Sequence, residues 1–197
     1  MNKYTLIVNN NIRVILMGKA VIVVGSRREG NSYNLANKIK EELKKDRIVS
    51  YIIIPGNQKI HLCTGCMDCD ENGICDFTDD MEKNIDRILE CDTLIIITPT
   101  RWNLLSGDVK IFIDRLNPLY SNNKLKDKKF VAIAIGATQK DVYSSNDAVK
   151  SLTNFAESAK MKTVLTYEFN NCVDFKDILD QEDNINQLIE KLKIIIK

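Results

Sequence analysis

A surplus of charge of either sign is missing from this 197-residue chain: 28 basic side chains stand against 27 acidic ones, for a net charge of +1. No overall field therefore holds nucleic acid or an anionic membrane, and neither is expected as a partner. Long apolar runs are also missing. The longest candidates, around 94–97 and 194–196, fall far short of the roughly 18 residues that cross a bilayer. Only three prolines occur, and no proline-rich linker, repeat or low-complexity tract divides the chain. With a single histidine, His61, no Ser-His-Asp set is recognisable; paired catalytic carboxylates and a catalytic lysine with its base are not evident either, which argues against hydrolase chemistry. Six cysteines are too few for a disulfide scaffold at this length, and Asn9, Asn10, Asn11 and Arg13 interrupt the apolar start that a signal peptide needs. A reducing cytoplasm is the expected setting.

What is present reads as one globular domain, long enough to bury roughly 70% of its unfolded surface without help from disulfides or metal. Residues 1–16 are an apolar, asparagine-rich extension of uncertain structure, and Met17-Gly18-Lys19 is an alternative start. From 17 to 197, β-branched runs alternate with stretches of helical period, with a cysteine-bearing insertion at 59–78. Strands are expected at 20–25, 48–54, 93–98, 129–136 and 162–168. The helices between them show stripes at spacings of three and four: Leu35, Ile39 and Leu43; Met81, Ile85, Ile88 and Leu89; Val109, Phe112, Ile113 and Leu116; Ala148, Leu152, Phe155 and Ala159; Ile185, Leu188, Ile189, Leu192 and Ile196. Five βα units predict an α/β doubly wound parallel sheet with helices on both faces, whose ligands bind in the loops at the carboxyl ends of the strands.

The first such loop, Gly25-Ser26-Arg27-Arg28-Glu29-Gly30-Asn31-Ser32, combines glycines, hydroxyls, an amide and two guanidinium groups ahead of a helix. Free N–H groups at a helix start favour a phosphate. Asn31 stands where a nucleotide triphosphate loop requires lysine, and a G-x-G-x-x-G dinucleotide turn is missing, so a monophosphate ester fits better. The plainer alternative is an Asn31 or Ser32 helix cap with exposed arginines. After the third strand, Pro99-Thr100-Arg101-Trp102-Asn103 places the only tryptophan at the mouth of the sheet, as a flat wall beside polar groups that suit an aromatic heterocycle. Taken alone, that tryptophan reads more simply as an edge to the core.

Gly25-Ser26-x-Arg28-x-Gly30-Asn31-Ser32, Asp79-Asp80-Met81, Pro99-Thr100-Arg101-Trp102 and Lys110-x-Phe112-x-Asp114-Arg115 together resemble, in order and spacing, the flavodoxin-like NAD(P)H-dependent FMN reductases over about 18–170. The resemblance implies strand order 2-1-3-4-5 with FMN at the switch point between the first and third strands. It implies that Ser26, Arg28, Gly30, Asn31 and Ser32 hold the FMN phosphate and that Pro99, Thr100, Arg101, Trp102 and Asn103 line the isoalloxazine ring. Arg101 departs from the tyrosine of many members. The family's third flavin loop corresponds to Gly136-Ala137-Thr138-Gln139, which is poorer in glycine than usual.

Cys63-x2-Cys66-x2-Cys69-x5-Cys75 packs four thiols into thirteen residues, with Gly65 and Gly73 to let the backbone fold around one centre. Such a set suits an iron-sulfur cluster or zinc. Successive x2 intervals favour 4Fe-4S over the widely separated knuckles of structural zinc, although zinc and free redox thiols remain alternatives. His61 reads as a solvated loop residue, Cys91 and Cys172 as packed thiols, and Asp79 and Asp80 as caps of the second helix. Placed after the second strand of such a domain, the cysteine pattern resembles that of iron-sulfur flavoproteins, which implies FMN and a 4Fe-4S cluster per subunit of a homo-oligomer, a dimer or tetramer. The expectation is an FMN-dependent oxidoreductase passing electrons between the two centres on one sheet edge. A ferredoxin-like protein or NAD(P)H is the candidate donor and a small molecule the acceptor. A cluster-free NAD(P)H-dependent FMN or quinone reductase and a zinc-braced binding module are the alternatives.

Overall fold

The computed structural model describes residues 4–8, 12–16, 18–138 and 145–197. Strands β1 (Tyr4–Val8) and β2 (Ile12–Leu16) pair antiparallel, from Tyr4 opposite Leu16 to Val8 opposite Ile12, as a two-stranded sheet of their own. Met17 and Gln139 lie outside the described residues.

The five expected strands become β3 (Gly18–Val24), β4 (Ile48–Ile53), β5 (Thr93–Pro99), β6 (Lys129–Ile135) and β7 (Lys162–Phe169), each within two residues of its sequence reading. They form one parallel sheet in the order β4-β3-β5-β6-β7, the doubly wound 2-1-3-4-5 arrangement. The three central strands are near-continuous apolar runs, as both faces of a parallel sheet are covered. Side chains alternate between the faces with period two. Ala20, Ile22 and Val24 pack with Leu35, Ile39 and Leu43 of α1 (Asn31–Lys45), and α6 (Glu182–Ile196) adds Leu188 and Leu192. Val21 and Val23 face the opposite cluster, built by α3 (Met81–Glu90), α4 (Gly107–Asp114) and α5 (Asn146–Ser158). A five-residue helix that periodicity cannot reveal, α2 (Asp68–Asn72), lies within the cysteine insertion.

One stripe differs from its sequence reading. In α3 the buried line is Met81, Asn84 and Ile88 with Ile85 packed against it as expected, while Leu89, one position further round the helix, turns outward. Asn84 is tolerated inside because its amide donates to the Gln58 side-chain oxygen at 2.8 Å, so its polar end is satisfied. Among the described residues no helix is long and apolar enough to cross a membrane.

Candidate functional site

The carboxyl ends of β3 and β5 lie side by side where the chain's winding reverses direction, and a cleft of about 550 Å³ opens between their loops. Gly25, Ser26, Arg27 and Arg28 line one wall; Arg101, Ser106, Gly107, Asp108 and Ile111 line the other. The walls meet because Gly25 has no side chain. A Cβ there would stand 2.5 Å from Val109 Cγ2 and 2.6 Å from Ser106 Oγ, so any larger residue would push α4 off the sheet. The Gly25 N–H donates to the Ile97 carbonyl at 2.8 Å and holds the loop to β5. Across the cleft the Arg27 guanidinium donates to Asp108 at 3.0 Å.

At the end of the cleft nearest α1, the helix begins after Gly30 with no side-chain cap and no acidic residue in its first turn. Its leading N–H groups have no intrahelical acceptor and carry the positive pole of the helix dipole. Arg28 lies beside this turn with its guanidinium 4.6 Å from the centre of the Phe175 ring. Ser26 Oγ donates to the Arg28 carbonyl at 3.4 Å, and Ser32 is buried beneath the turn. The Asn31 side chain is engaged elsewhere. Its Nδ2 donates to the Asp174 carbonyl at 2.6 Å and its Oδ1 accepts from the Ile178 N–H at 3.1 Å. What Asn31 offers an anion is its backbone N–H, while its amide ties the segment 172–178 against α1. That segment, including the exposed Phe175, frames the start of α1 yet carries no sequence signal, because its partners are some 140 residues away.

In the loop after β5, Arg101 and Leu104 exchange two backbone hydrogen bonds of 2.9 and 3.0 Å around Trp102 and Asn103, which have φ of 51° and 62°. Two successive left-handed residues mark a tight two-residue hairpin turn. Asparagine tolerates this conformation, whereas a bulky side chain is strained by it. Trp102 is moreover 97% exposed, so no packing offsets the strain. A strained, fully exposed indole beside a cleft is a group held ready for contact. Trp102→Gly is expected to stabilise the fold by about 1 kcal/mol while weakening retention of a flat ligand, which urea unfolding and ligand titration check. Arg101 lies in the cleft wall with Nη1 donating to the Thr100 carbonyl at 3.0 Å. Pro99, the last residue of β5, and Thr100 lie behind the turn; the Thr100 N–H donates to the Ile135 carbonyl at 2.9 Å. Gly136 follows β6, its N–H donating to the Phe169 carbonyl at 2.8 Å, and stands beside the Thr100 hydroxyl.

All four clustered cysteines, Cys63, Cys66, Cys69 and Cys75, line a single small recess together with Phe77, Arg115 and Asn117. Three left-handed residues, Gly65 at φ 69°, Met67 at 70° and Gly73 at 72°, bend the loop around it. The Asn117 amide donates to Cys69 Sγ at 3.2 Å. At Cys66 the backbone N–H of Asp68 favours the thiolate, but the Asp68 carboxylate and desolvation prevail and push the thiol up. The Asp68 and Asp76 carboxylates lie within 4.8 Å of that sulfur, and both are exposed. His61 is exposed and stacked on Phe77, with ring centres 4.9 Å apart. Cys91 and Cys172 are buried away from the recess, and burial pushes both thiols up to about 11, as expected of inert packed thiols.

The loop is held by a buried ion pair. Arg115 Nη1 and Nη2 donate to the two oxygens of Asp79 at 2.6 and 3.1 Å, and both side chains are only 2% exposed. Asp79 also accepts from the N–H groups of His61 and Met81, each at 2.9 Å, so it serves the start of α3 as expected. Asp80 does not: it makes no cap bond and accepts instead from the Lys59 N–H at 2.8 Å, bracing the insertion. The sequence places the cysteines and the cleft on one sheet edge. In the structure they sit at opposite ends of α4, the cleft at Gly107 and Asp108 and the recess at Asp114 and Arg115, because the insertion folds back along the helix. Eight helical residues put about 12 Å between them.

Comparison with known proteins adds three findings. The family profile of NADPH-dependent FMN reductase matches residues 18–175. The iron-sulfur flavoprotein MJ1083 of Methanocaldococcus jannaschii is 29% identical over 122 residues, 61% of this chain and 63% of that protein. YwqN of Bacillus subtilis, named for an NAD(P)H-dependent FMN-containing oxidoreductase, is 33% identical over 112 residues, 56% of this chain and 58% of its own. The chain thus spans less than two thirds of either relative. Among solved structures, an azoreductase from Bacillus anthracis superposes with a TM-score of 0.65 at 14% identity, covering 91% of this chain and 98% of the other, a likeness of fold.

Proposed function

Because the chain belongs to the NADPH-dependent FMN reductase family, we propose that it is an FMN-dependent oxidoreductase whose four-cysteine recess carries a 4Fe-4S cluster. The observation that carries this reading is the convergence of Cys63, Cys66, Cys69 and Cys75 on one recess at the far end of the helix that begins in the FMN cleft. Bound FMN exchanges electrons in pairs or singly and a 4Fe-4S centre passes them singly, so the two together convert one form of transfer into the other.

The chain's own residues bind and orient. The uncapped first turn of α1 and Arg28 receive the phosphate, with Ser26, Gly30 and the backbone N–H groups of Asn31 and Ser32 shaping its seat. Pro99, Thr100, Arg101, Trp102 and Asn103 receive the ring, and Gly136 keeps the facing loop low. Arg101 brings positive charge to the ring side of the cleft. A cation there stabilises the more negative, reduced flavin, so Arg101→Ala is expected to lower the flavin midpoint potential by about 30 mV, a tenfold change for a two-electron couple. Potentiometric titration of the bound flavin checks this. At the recess, sulfur ligands suit iron, and the donors Asn117 and Arg115 complement thiolate charge. The electron donor in this reading is a nicotinamide or a ferredoxin-like protein, the acceptor is a small molecule, and the working form is a homo-oligomer.

A second reading keeps the same cleft without the cluster, as a NAD(P)H-dependent FMN or quinone reductase. It is favoured by the likeness to YwqN, which is named for an NAD(P)H-dependent FMN-containing oxidoreductase. Anaerobic purification followed by a visible spectrum and iron, sulfide and zinc analysis separates the readings. A brown protein with four irons and four sulfides per chain supports the first. A yellow, iron-free protein supports the second. A colourless zinc protein removes both.

A further inference from the structure

A buried guanidinium offers five N–H donors, and leaving one of them unpaired costs about 1–3 kcal/mol. Arg115 is 2% exposed, yet among the described residues its Nε is a buried polar atom with no hydrogen-bond partner. The rest of the group is closely held. Nη1 and Nη2 grip Asp79, Nη1 also donates to the His61 carbonyl at 2.8 Å, and the guanidinium carbon lies 5.1 Å from the centre of the Phe77 ring. With the fork fixed on one side, the Nε side cannot swing away to find another acceptor. Arg115 also lines the recess that holds the four cysteines, and two residues further on Asn117 already donates to the sulfur of Cys69. One helix end therefore presents two donors to the recess, one engaged with sulfur and one without an acceptor.

We propose, resting on the cluster reading above, that Arg115 is a positioning residue for the metal centre: its Nε–H donates to a cysteine sulfur that ligates the cluster in the recess and raises that cluster's reduction potential. Loading strengthens the acceptor: the Cys75 side chain already acts on the Arg115 guanidinium, and a metal-bound thiolate carries negative charge and accepts N–H bonds. Asp79 neutralises the guanidinium, so the effect at the recess is that of a fixed N–H dipole. Reduction adds negative charge to the sulfurs, so the donor stabilises the reduced form more than the oxidised one. The competing view is that Arg115 only pins the insertion to α4. Lysine at this position keeps the charge and the bond to Asp79 but has no Nε–H, and therefore separates the two.

The test uses the whole chain, loaded anaerobically with iron and sulfide, with the cluster's reduction followed by electron paramagnetic resonance against solution potential. The expected result for Arg115→Lys is an unchanged iron content, an unmoved flavin potential and about a tenfold lower ratio of reduced to oxidised cluster at a given potential, which is about 59 mV for one electron. An unmoved cluster potential in the loaded variant overturns the assignment. Where Arg115→Lys does not fold, the unmodified chain is loaded with cadmium and the Arg115 Nε proton is observed by magnetic resonance. A downfield shift on loading supports the bond to sulfur, and an unshifted resonance overturns it. An unmodified chain that takes up neither iron nor sulfide removes the cluster reading, and this assignment with it; a loaded chain with an unmoved potential removes the assignment alone.

Discussion

Asp79→Ala is expected to destabilise the fold by about 3–5 kcal/mol, because it strands the buried Arg115 charge without its carboxylate. The loss is local in origin and wide in effect. Asp79 receives both arms of Arg115 and the N–H groups of His61 and Met81, so one substitution unties the insertion from α4 and frees the start of α3. The wild-type chain should show a matching pH dependence. Burial works against the Asp79 charge, but the hydrogen bond from Arg115 and those from His61 and Met81 outweigh it and hold the carboxyl below its ordinary 3.8. A carboxyl with a depressed folded pKa contributes stability that is fully present above its unfolded value. That contribution fades as pH falls from about 4 through the lower folded pKa. Urea unfolding of both proteins at neutral pH and between about pH 4 and 2 checks this: the difference between them should be largest near neutrality and shrink toward the acid end.

Cys66→Ser is expected to abolish metal loading altogether while FMN stays bound. Cys66 is exposed, so its replacement removes little packing and should change stability by no more than about 0.5 kcal/mol. A serine hydroxyl stays protonated at neutral pH and is a hard oxygen ligand where a thiophilic centre needs sulfur. The cleft between β3 and β5 shares no lining residue with the recess and lies at the other end of α4, so the flavin proposed there should be retained in full. Iron, sulfide and flavin content per chain measures both halves of the expectation. Loss of flavin together with iron would show that the two sites depend on one another.

Local patterns carried most of the architecture into view. The apolar runs 93–98 and 129–136 are sheet-buried on both sides, and the stripes of α1 and α6 repeat at spacings that leave one face apolar, so elements and layers follow from short-range arithmetic, whereas the strand order is what the resemblance to the flavodoxin-like reductases implies. The two loops of the cleft and the cysteine set were legible for the same reason, since each is contiguous in sequence. What stayed hidden is long-range. The hold of Asn31 on the segment 172–178, the Arg27–Asp108 bridge across the cleft and the Arg115–Asp79 pair join residues 36 to 147 positions apart. Spacing assigns Leu89 to the core because a spacing rule cannot tell the edge of a stripe from its centre. Position on the sheet was hidden too, as nothing in the interval from Cys63 to Cys75 tells that the loop folds back along α4. The Trp102 turn left little trace: tight hairpins favour Asn-Gly, and here the central pair is Trp102-Asn103, so only the tolerance of asparagine for positive φ hints at it.

Equilibrium titration of the chain with FMN and with riboflavin, followed through the emission of its only tryptophan, tests most directly whether the cleft between β3 and β5 is a flavin phosphate site. Binding of one FMN per chain with quenching of Trp102, and riboflavin bound about 100-fold more weakly, a difference of about 2.7 kcal/mol, is the predicted result. No binding of FMN, or equal binding of the flavin that lacks the phosphate, would contradict it.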